Sequence, residues 1–188
     1  MGRYVASLRA VNVTGHGRLS MESLRSICAE CCLEQVRTYI QTRNVIFECR
    51  PREIGGRIQA LRQGLETAIG EQPEIMLRTV KELADCVAAA PFAALAENQD
   101  VKLYVCFLTH KPEKPVQLPM FSESECLEVG SMSQRELFVV SGRKSNGFYG
   151  FPNSFVDERL RVPATSRNWN TVRKVLAWAR STGTARVN

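Results

Sequence analysis

The first eighty residues constrain the fold most strongly, because strand-like and helix-like patterns follow one another there in a definite order. The predicted elements are a strand over 3–11, a helix capped by Ser20, strands over 35–41 and 44–49, a helix opened by Pro51 and ended by Gly70, and a strand over 75–80. Apolar residues recur at helical spacing in the two helices, and the short connection between the middle strands is typical of an antiparallel hairpin. This β-α-β-β-α-β order is the ferredoxin-like pattern.

The rest of the chain repeats the hairpin and the helix in a looser form. Its predicted elements are a helix over 82–90, a strand over 101–108, a proline-rich loop over 111–119, hairpin strands over 126–131 and 135–141, a loop over 142–153, and helices over 154–160 and 168–181. We therefore expect an α+β fold of two related ferredoxin-like halves, residues 1–80 and 81–188, packed together as one compact unit. In each half, helices are expected on one face of an antiparallel sheet.

The composition is that of a soluble globular protein, with 44% hydrophobic and 23% charged residues. The sequence has no long apolar run and no secretion signal, so we expect a cytoplasmic protein without a membrane partner. Its seven cysteines include Cys28-x-x-Cys31-Cys32, but no second pair follows at zinc-finger spacing. This pattern predicts reduced thiols with no disulfide, no metal and no cofactor.

The basic residues are mostly arginine, with 19 Arg and 6 Lys against 19 acidic residues and a formal net charge of +6. Arginine binds phosphate and carboxylate groups through two parallel hydrogen bonds, which lysine cannot do. The arginines are scattered, however, and only 7% of the residues are aromatic. The charge therefore favours attraction of small anions over dedicated nucleic-acid binding.

A polar run from Pro163 to Val172 contains the best candidate site residues, Arg167, Asn168 and Asn170. An apolar helical pattern begins inside this run, and polar groups at a helix start can cap the helix or hold an anion. The alternative interpretation is structural. In that case Ser166 or Asn168 caps the helix, Trp169 fills the core and Arg167 braces the preceding loop.

Arg9 and Asn12 are further candidates, because they stand where the first strand ends and a loop with Gly15-His16-Gly17 begins. Strand, glycine loop and helix in succession can present backbone N–H groups to phosphate, although the Gly-Lys-Ser/Thr of a P-loop is missing. The structural alternative is favoured here: a tight turn between strand and helix, with Arg9 in a salt bridge. We predict that Arg167 approaches Arg9 or Asn12 in space, forming one electropositive pocket floored by Trp169.

The loop over 142–153 and the helix start after it add two candidates, Lys144 and Ser154. This polar stretch is either a solvated loop, the simpler interpretation, or a flap that closes over an anion. No catalytic constellation emerges, since neither His16 nor His110 has a partner suggested by the sequence. Three functions stay open. The favoured one is binding of a small phosphate- or carboxylate-bearing ligand, and the alternatives are an RNA-binding module and an enzyme acting on a phosphorylated or carboxylated small molecule.

Three segments of the chain resemble a known bacterial family. They are Tyr4–Val13, Val36–Phe47 and Tyr149–Val156, the last of which runs on to Thr165–Val172. In these segments the chain is similar to the proteins called domain-of-unknown-function family 1697, over nearly its whole length. The resemblance implies an α+β fold of two related ferredoxin-like halves in a cytoplasmic protein. It implies no activity, because none is established for the family.

The chain departs from the family pattern at two turns. The family has Arg-Gly-Ile-Asn-Val-Gly-Gly after the first strand, where this chain places Ala10, Val11 and Thr14 in place of two glycines and an isoleucine. The family hairpin reads Ser-Gly-Asn, and here it reads Thr42-Arg43-Asn44. Glycine serves where φ must be positive, so either Arg43 strains this turn or the turn does not need glycine.

Overall fold

The computed structural model describes residues 1–9, 19–39, 43–95 and 98–181. The strands are β1 (Gly2–Arg9), β2 (Glu34–Tyr39), β3 (Asn44–Cys49), β4 (Glu74–Thr79), β5 (Val101–Leu108), β6 (Met120–Ser122), β7 (Leu127–Ser133), β8 (Glu136–Gly142) and β9 (Ala164–Asn168). The helices are α1 (Met21–Glu30), α2 (Ile54–Ile69), α3 (Val80–Ala88), α4 (Pro152–Leu160) and α5 (Trp169–Arg180). The predicted loop with Asn12 and His16 lies outside the described residues.

The strands form two antiparallel sheets. The first sheet has the order β2-β3-β1-β4, and the second has the order β6-β7-β8-β5-β9. The α+β class is confirmed, and the first half has the predicted β-α-β-β-α-β order. Without β6, the second sheet repeats the first, with β7, β8, β5 and β9 in the places of β2, β3, β1 and β4. The classification of each half as ferredoxin-like, and the boundary between the halves, stay predictions.

The repeat differs at one connection. In the first half, α1 links β1 to β2, whereas in the second half a loop and the short β6 link β5 to β7. Prolines at positions 112, 115 and 119 occur in this connection. Proline lacks the backbone N–H that a helix interior needs, so this stretch does not form a counterpart of α1.

Local signals in the sequence explain where the helices of the first half begin and end. The side chain of Ser20 accepts a hydrogen bond from the backbone N–H of Ser23, which caps α1. Pro51 lies in a short 3-10 turn that leads into α2. Gly70 ends α2 with φ of 79°, a left-handed conformation that glycine adopts at little cost.

Two strands escaped prediction from the sequence. Residues 164–167 were expected only as a polar run before the helix over 168–181, but residues 164–168 form β9, which pairs with β5 from Leu108 to Tyr104. The helix itself begins at Trp169, one residue from the predicted start, and Asn168 is its N-cap. The sequence of β9 shows no apolar alternation. The strand forms nonetheless, because its pairing with β5 supplies the backbone hydrogen bonds. The three-residue β6 is likewise defined by its pairing with β7.

Three hydrophobic cores divide the molecule into layers. The first lies between α1, α2 and one face of the first sheet, and it contains Leu24, Leu61 and Phe47. The second joins the other face of that sheet to the second sheet, together with α3 and α5. The third lies between the second sheet and α4. Helices therefore pack on both faces of each sheet, which departs from the expected arrangement on one face.

None of the helices assigned within the described ranges is both long and apolar enough to span a membrane.

The turn between β2 and β3 requires an unusual backbone conformation. Arg43 has φ of 54°, in the left-handed region. A residue with a side chain is held there at a cost of roughly 1–2 kcal/mol. Of the two alternatives for this turn, strain at Arg43 is therefore the one observed, and glycine at this position would relieve it.

A buried ion pair ties the two sheets together at one end. Arg78 of β4 pairs with Glu136 of β8, and their exposed fractions are only 2% and 5%. The Arg78 guanidinium also donates to the carbonyl oxygens of Leu108 and Arg135, each at 2.9 Å. The positive charge of Arg78 is thus neutralised by a carboxylate, and its N–H groups find acceptors in the second sheet. Together these two conditions make a buried charge tolerable.

We predict that Arg78→Met destabilises the protein by about 3–5 kcal/mol, because it leaves the Glu136 carboxylate buried without its partner. Urea unfolding followed by circular dichroism measures this loss. The double variant Arg78→Met/Glu136→Leu is the control, and it should recover part of the lost stability, since no buried charge remains while the carbonyls of Leu108 and Arg135 still lack their donor. A loss below about 1 kcal/mol in the single variant would contradict the assigned role.

Candidate functional site

The side chain of Arg167 extends from the edge strand of the second sheet to the first sheet. Its Nη2 donates to the carbonyl oxygen of Leu8 at 3.0 Å and to that of Arg43 at 3.3 Å. Its Nη1 donates to Thr165 Oγ1 at 2.8 Å and to the carbonyl oxygen of Ser166 at 2.9 Å. The guanidinium therefore lies at the junction of β1, the β2–β3 turn and β9.

Arg9 makes the reciprocal contact from the first sheet. Its Nη1 donates to the carbonyl oxygen of Ala164 at 2.9 Å and pairs with Asp157 of α4 at 2.6 Å. Asp157 also accepts from the backbone N–H of Ala164 at 2.8 Å, so the carboxylate links Arg9 to the start of β9. The segments of Arg9 and Arg167, more than 150 residues apart in the sequence, thus meet at one junction.

The charge of Arg167 is not matched by a carboxylate among the described residues. Its Nε is buried and has no hydrogen-bond partner there. Burial, together with a smaller repulsion from the nearby Arg43, lowers the pKa of Arg167 to about 10. By contrast, Arg9, Arg78 and Arg135 each pair with an acidic side chain.

The two stretches that adjoin the junction residues in the sequence contain no acidic residue. Residues 10–18 follow β1 and residues 40–42 connect β2 to β3, and neither stretch contains Asp or Glu. The first stretch contains His16 and Arg18 as well as Asn12. These two stretches of sequence thus add basic and polar residues but no acidic one.

A buried polar pair supports the same junction from the first sheet. Ser7 Oγ donates to Asn44 Oδ1 at 2.7 Å, and both residues are buried. These residues are direct partners in the β1–β3 ladder. Sequence reasoning did not single out Ser7, although polar residues at the end of a buried strand are the signal that could have found it.

The residues after Arg167 begin α5. Asn168 is the N-cap of α5, and its Oδ1 accepts from the backbone N–H of Asn170 at 2.9 Å. Trp169 packs edge-on against Phe92 with ring centroids 5.3 Å apart, at the margin of the central core. Capping by Asn168 and core packing by Trp169 agree with the structural interpretation of this run, while the unmatched charge of Arg167 is not explained by it.

Of the two candidates Lys144 and Ser154, Lys144 lies elsewhere. Lys144 pairs with Glu125 at 2.7 Å, beyond the end of the second sheet where Gly142 is opposite Val101. Arg167 is opposite Val105, four residues further along β5, which is roughly 13 Å away along the strand. Ser154 is exposed on the first turn of α4, whereas its neighbour Asn153 accepts a 2.7 Å hydrogen bond from Ser166.

The chain matches the family of proteins of unknown function DUF1697 over residues 1–138. The chain belongs to this family. A conserved bacterial protein from Streptococcus pneumoniae has a solved structure that superposes with a TM-score of 0.61. The two chains are 16% identical, and the alignment covers 96% of this chain and 99% of the other. At this identity the likeness concerns the fold alone. A comparison with curated proteins gave no match.

The DUF1697 chain places a buried thiol next to this junction. Cys106 Sγ lies 2.8 Å from Ser166 Oγ, and burial raises the pKa of the thiol to about 12. Burial likewise raises the pKa values of Cys28 and Cys86 to about 12. At pH 8 about one such thiol in ten thousand is ionised, so none of the three is a ready nucleophile.

Metal binding finds no support in the described part of the DUF1697 chain, where no three His, Cys, Asp or Glu residues come together. All seven cysteines are free thiols in the structure, and Cys32 and Cys126 are the exposed ones. The absence of a disulfide, a metal and a cofactor in the protein itself stays a prediction.

A separate cleft of about 990 Å³ lies between residues 110–121 and residues 159–162. It is on the far side of the second sheet, beside α4, and does not include Arg167 or Arg9. Sequence reasoning missed it in this DUF1697 protein, because it assigned residues 111–119 only as a loop. The proline spacing was the signal available in the sequence.

We predict that Ellman's reagent reacts quickly with two thiols of the native protein, those of Cys32 and Cys126, and with all seven after unfolding. The other five are buried, and burial raises the pKa values of the thiols at 28, 86 and 106 to about 12. The variant Cys32→Ser/Cys126→Ser is the control and should be nearly unreactive until denatured. Fast reaction of a third thiol in the native protein would show that one core opens readily.

Proposed function

We propose that this protein binds a small anionic ligand, bearing a phosphate or carboxylate group, at the junction of β1, the β2–β3 turn and β9. Arg167 is the central residue, and Arg9, Asn12, Asn168 and Asn170 are its helpers. The observation that carries the proposal is the guanidinium of Arg167, which no carboxylate of the described residues neutralises. Lys144 is left out of this site because it lies beyond the far end of β5, and the assignment of Ser154 stays a prediction.

The electrostatic argument is that the Arg167 guanidinium, which no carboxylate of the described residues neutralises, lies near the charge of Arg43. Repulsion from Arg43 lowers the pKa of Arg167, as burial does. An anion bound beside them reverses this effect, because an opposite charge favours the protonated form. Arg167 with a pKa of about 10 stays charged at neutral pH, so the ligand meets a full positive charge.

The hydrogen-bonding argument concerns the donors that remain available. The two Nη atoms of Arg167 already donate to four oxygens of the protein, whereas its Nε has no partner among the described residues. The N-terminal turn of α5 follows directly after Asn168, and helix N-termini favour anions through their unpaired N–H groups. Nε–H and this turn are the donors we assign to the ligand.

No specific observation favours either of the two alternative functions, RNA binding and catalysis. An RNA-binding sheet of this kind needs an open face with stacked aromatic side chains. In the part of the chain that the structure describes, each face of each sheet carries a hydrophobic core instead. An enzyme needs a base beside its ligand, and Asp157, the acidic residue placed at the junction, is paired with Arg9.

We expect inorganic phosphate, a nucleoside monophosphate or citrate to raise the melting temperature of the wild-type protein, because a ligand of the folded state stabilises it. Arg167→Gln should remove most of this rise and weaken binding about tenfold or more, as for loss of a charged hydrogen-bond donor. Differential scanning fluorimetry and isothermal titration calorimetry measure the two effects.

Arg135→Gln is the matched control, because Arg135 also donates across the sheets to Leu77 and pairs with Glu82. It should lower stability but keep the anion-induced rise. Arg43→Gln is a second test that spares the four Arg167 hydrogen bonds, since the Arg43 contact uses its backbone carbonyl. Equal anion responses in the wild type, Arg167→Gln and Arg43→Gln, or no response in any of them, would refute the proposed site.

A further inference from the structure

The cleft beside α4 has a topological origin. In the first half, α1 and α2 both cover the outer face of the sheet. In the second half, α4 takes the position of α2, and the connection from β5 to β7 contains prolines instead of a helix. The outer face of the second sheet is therefore covered by α4 and an extended segment, and a space of about 990 Å³ remains between them.

Basic side chains line this cleft from two walls. Arg159 and Arg161 come from the end of α4, and Lys114 comes from the proline-rich segment. None of the three has an ion-pair partner among the residues described, and Glu113 is the acidic residue of the lining. The negative end of the α4 dipole attracts a basic residue to the last turn of the helix. It does not explain the presence of Lys114 on the opposite wall of the cleft.

Apolar side chains make up much of the remaining lining. Met120 and Leu160 pack against the core under α4, and Phe121 stands at the cleft with 56% of its surface exposed. Arg159 lies over the ring of Phe155, 5.4 Å from its centroid, but has no ion-pair partner among the described residues. A large aromatic side chain left in water beside cations without ion pairs marks a surface suited to a ligand. The volume lies within the range of small-molecule sites, about 300–1,000 Å³.

We propose that this cleft binds an amphipathic anion, a molecule with an apolar body and one carboxylate or phosphate group. The anionic group lies between Lys114 and the Arg159–Arg161 pair, and the apolar body packs on Phe121 and Met120. This site is distinct from the Arg167 junction and does not depend on it. A fatty acid and a nucleoside monophosphate share the required chemistry.

The fluorescent anion 1-anilinonaphthalene-8-sulfonate is the probe, because it combines a sulfonate with an aromatic body and brightens in apolar sites. We expect saturable binding to the full-length wild-type protein at one site. Arg159→Gln/Arg161→Gln should weaken this binding about tenfold or more. Phe121→Ser should lower both the affinity and the brightness, because it removes the apolar contact.

The charge-matched control is Arg25→Gln/Arg173→Gln, which removes two exposed arginines from α1 and α5, away from the cleft. It should bind the probe like the wild type, and so should Arg167→Gln, which separates this proposal from the junction site. Equal weakening by both double variants, no effect of Phe121→Ser, or no saturable binding overturns the proposal.

Competition identifies the source of the ligand. Displacement of the probe by decanoate assigns the cleft to a lipid-derived carboxylate, and displacement by adenosine monophosphate assigns it to a soluble phosphate ester. Either result supports the proposal if Arg159→Gln/Arg161→Gln also weakens the competitor. Failure of both competitors to displace the probe contradicts it.

Discussion

The structure depends on arginine side chains that join two sheets through backbone carbonyl oxygens. Arg9 and Arg78 reach from the first sheet to the second, and Arg135 and Arg167 reach from the second to the first. Carbonyl groups at strand ends and turns lack a ladder partner, and burying them without a donor costs free energy. A guanidinium supplies up to five donors from one side chain, so a few arginines satisfy the carbonyls at both ends of the contact.

The arginines that bridge the two sheets differ in whether a carboxylate balances their charge. Arg78 is buried against Glu136 and Arg9 is paired with Asp157, so their charges are compensated within the protein. Arg167 satisfies carbonyl groups but has no carboxylate among the described residues, and burial lowers its pKa. Hydrogen bonding alone does not balance a buried charge as an opposite charge does. An arginine that is structurally engaged and electrostatically unmatched is therefore the feature from which ligand binding was inferred.

The prediction from sequence succeeded where local chemistry decides the structure. Ser20, Pro51 and Gly70 mark helix boundaries through capping, restricted φ and left-handed φ, and the structure confirms all three. It missed β9, because Ala164–Asn168 is a polar edge strand whose conformation comes from pairing with a distant strand. The sequence also left two alternatives for the turn at Arg43, a strained residue or a turn that does not need glycine. The positive φ of Arg43 shows that the residue is strained.

The sequence by itself determined the order of elements in the first half, the periodic faces of the helices that pack on the cores and the excess of arginine over lysine. These follow from short-range properties, because side-chain periodicity and capping depend on residues within a few positions of each other. Only the tertiary structure decided which arginines meet carboxylates, that Arg167 reaches Leu8, and that a cleft opens where α1 has no counterpart. Those properties depend on contacts between residues far apart in the sequence, 58 positions for Arg78 and Glu136 and 159 for Leu8 and Arg167, and no local pattern encodes a charge balance set by packing.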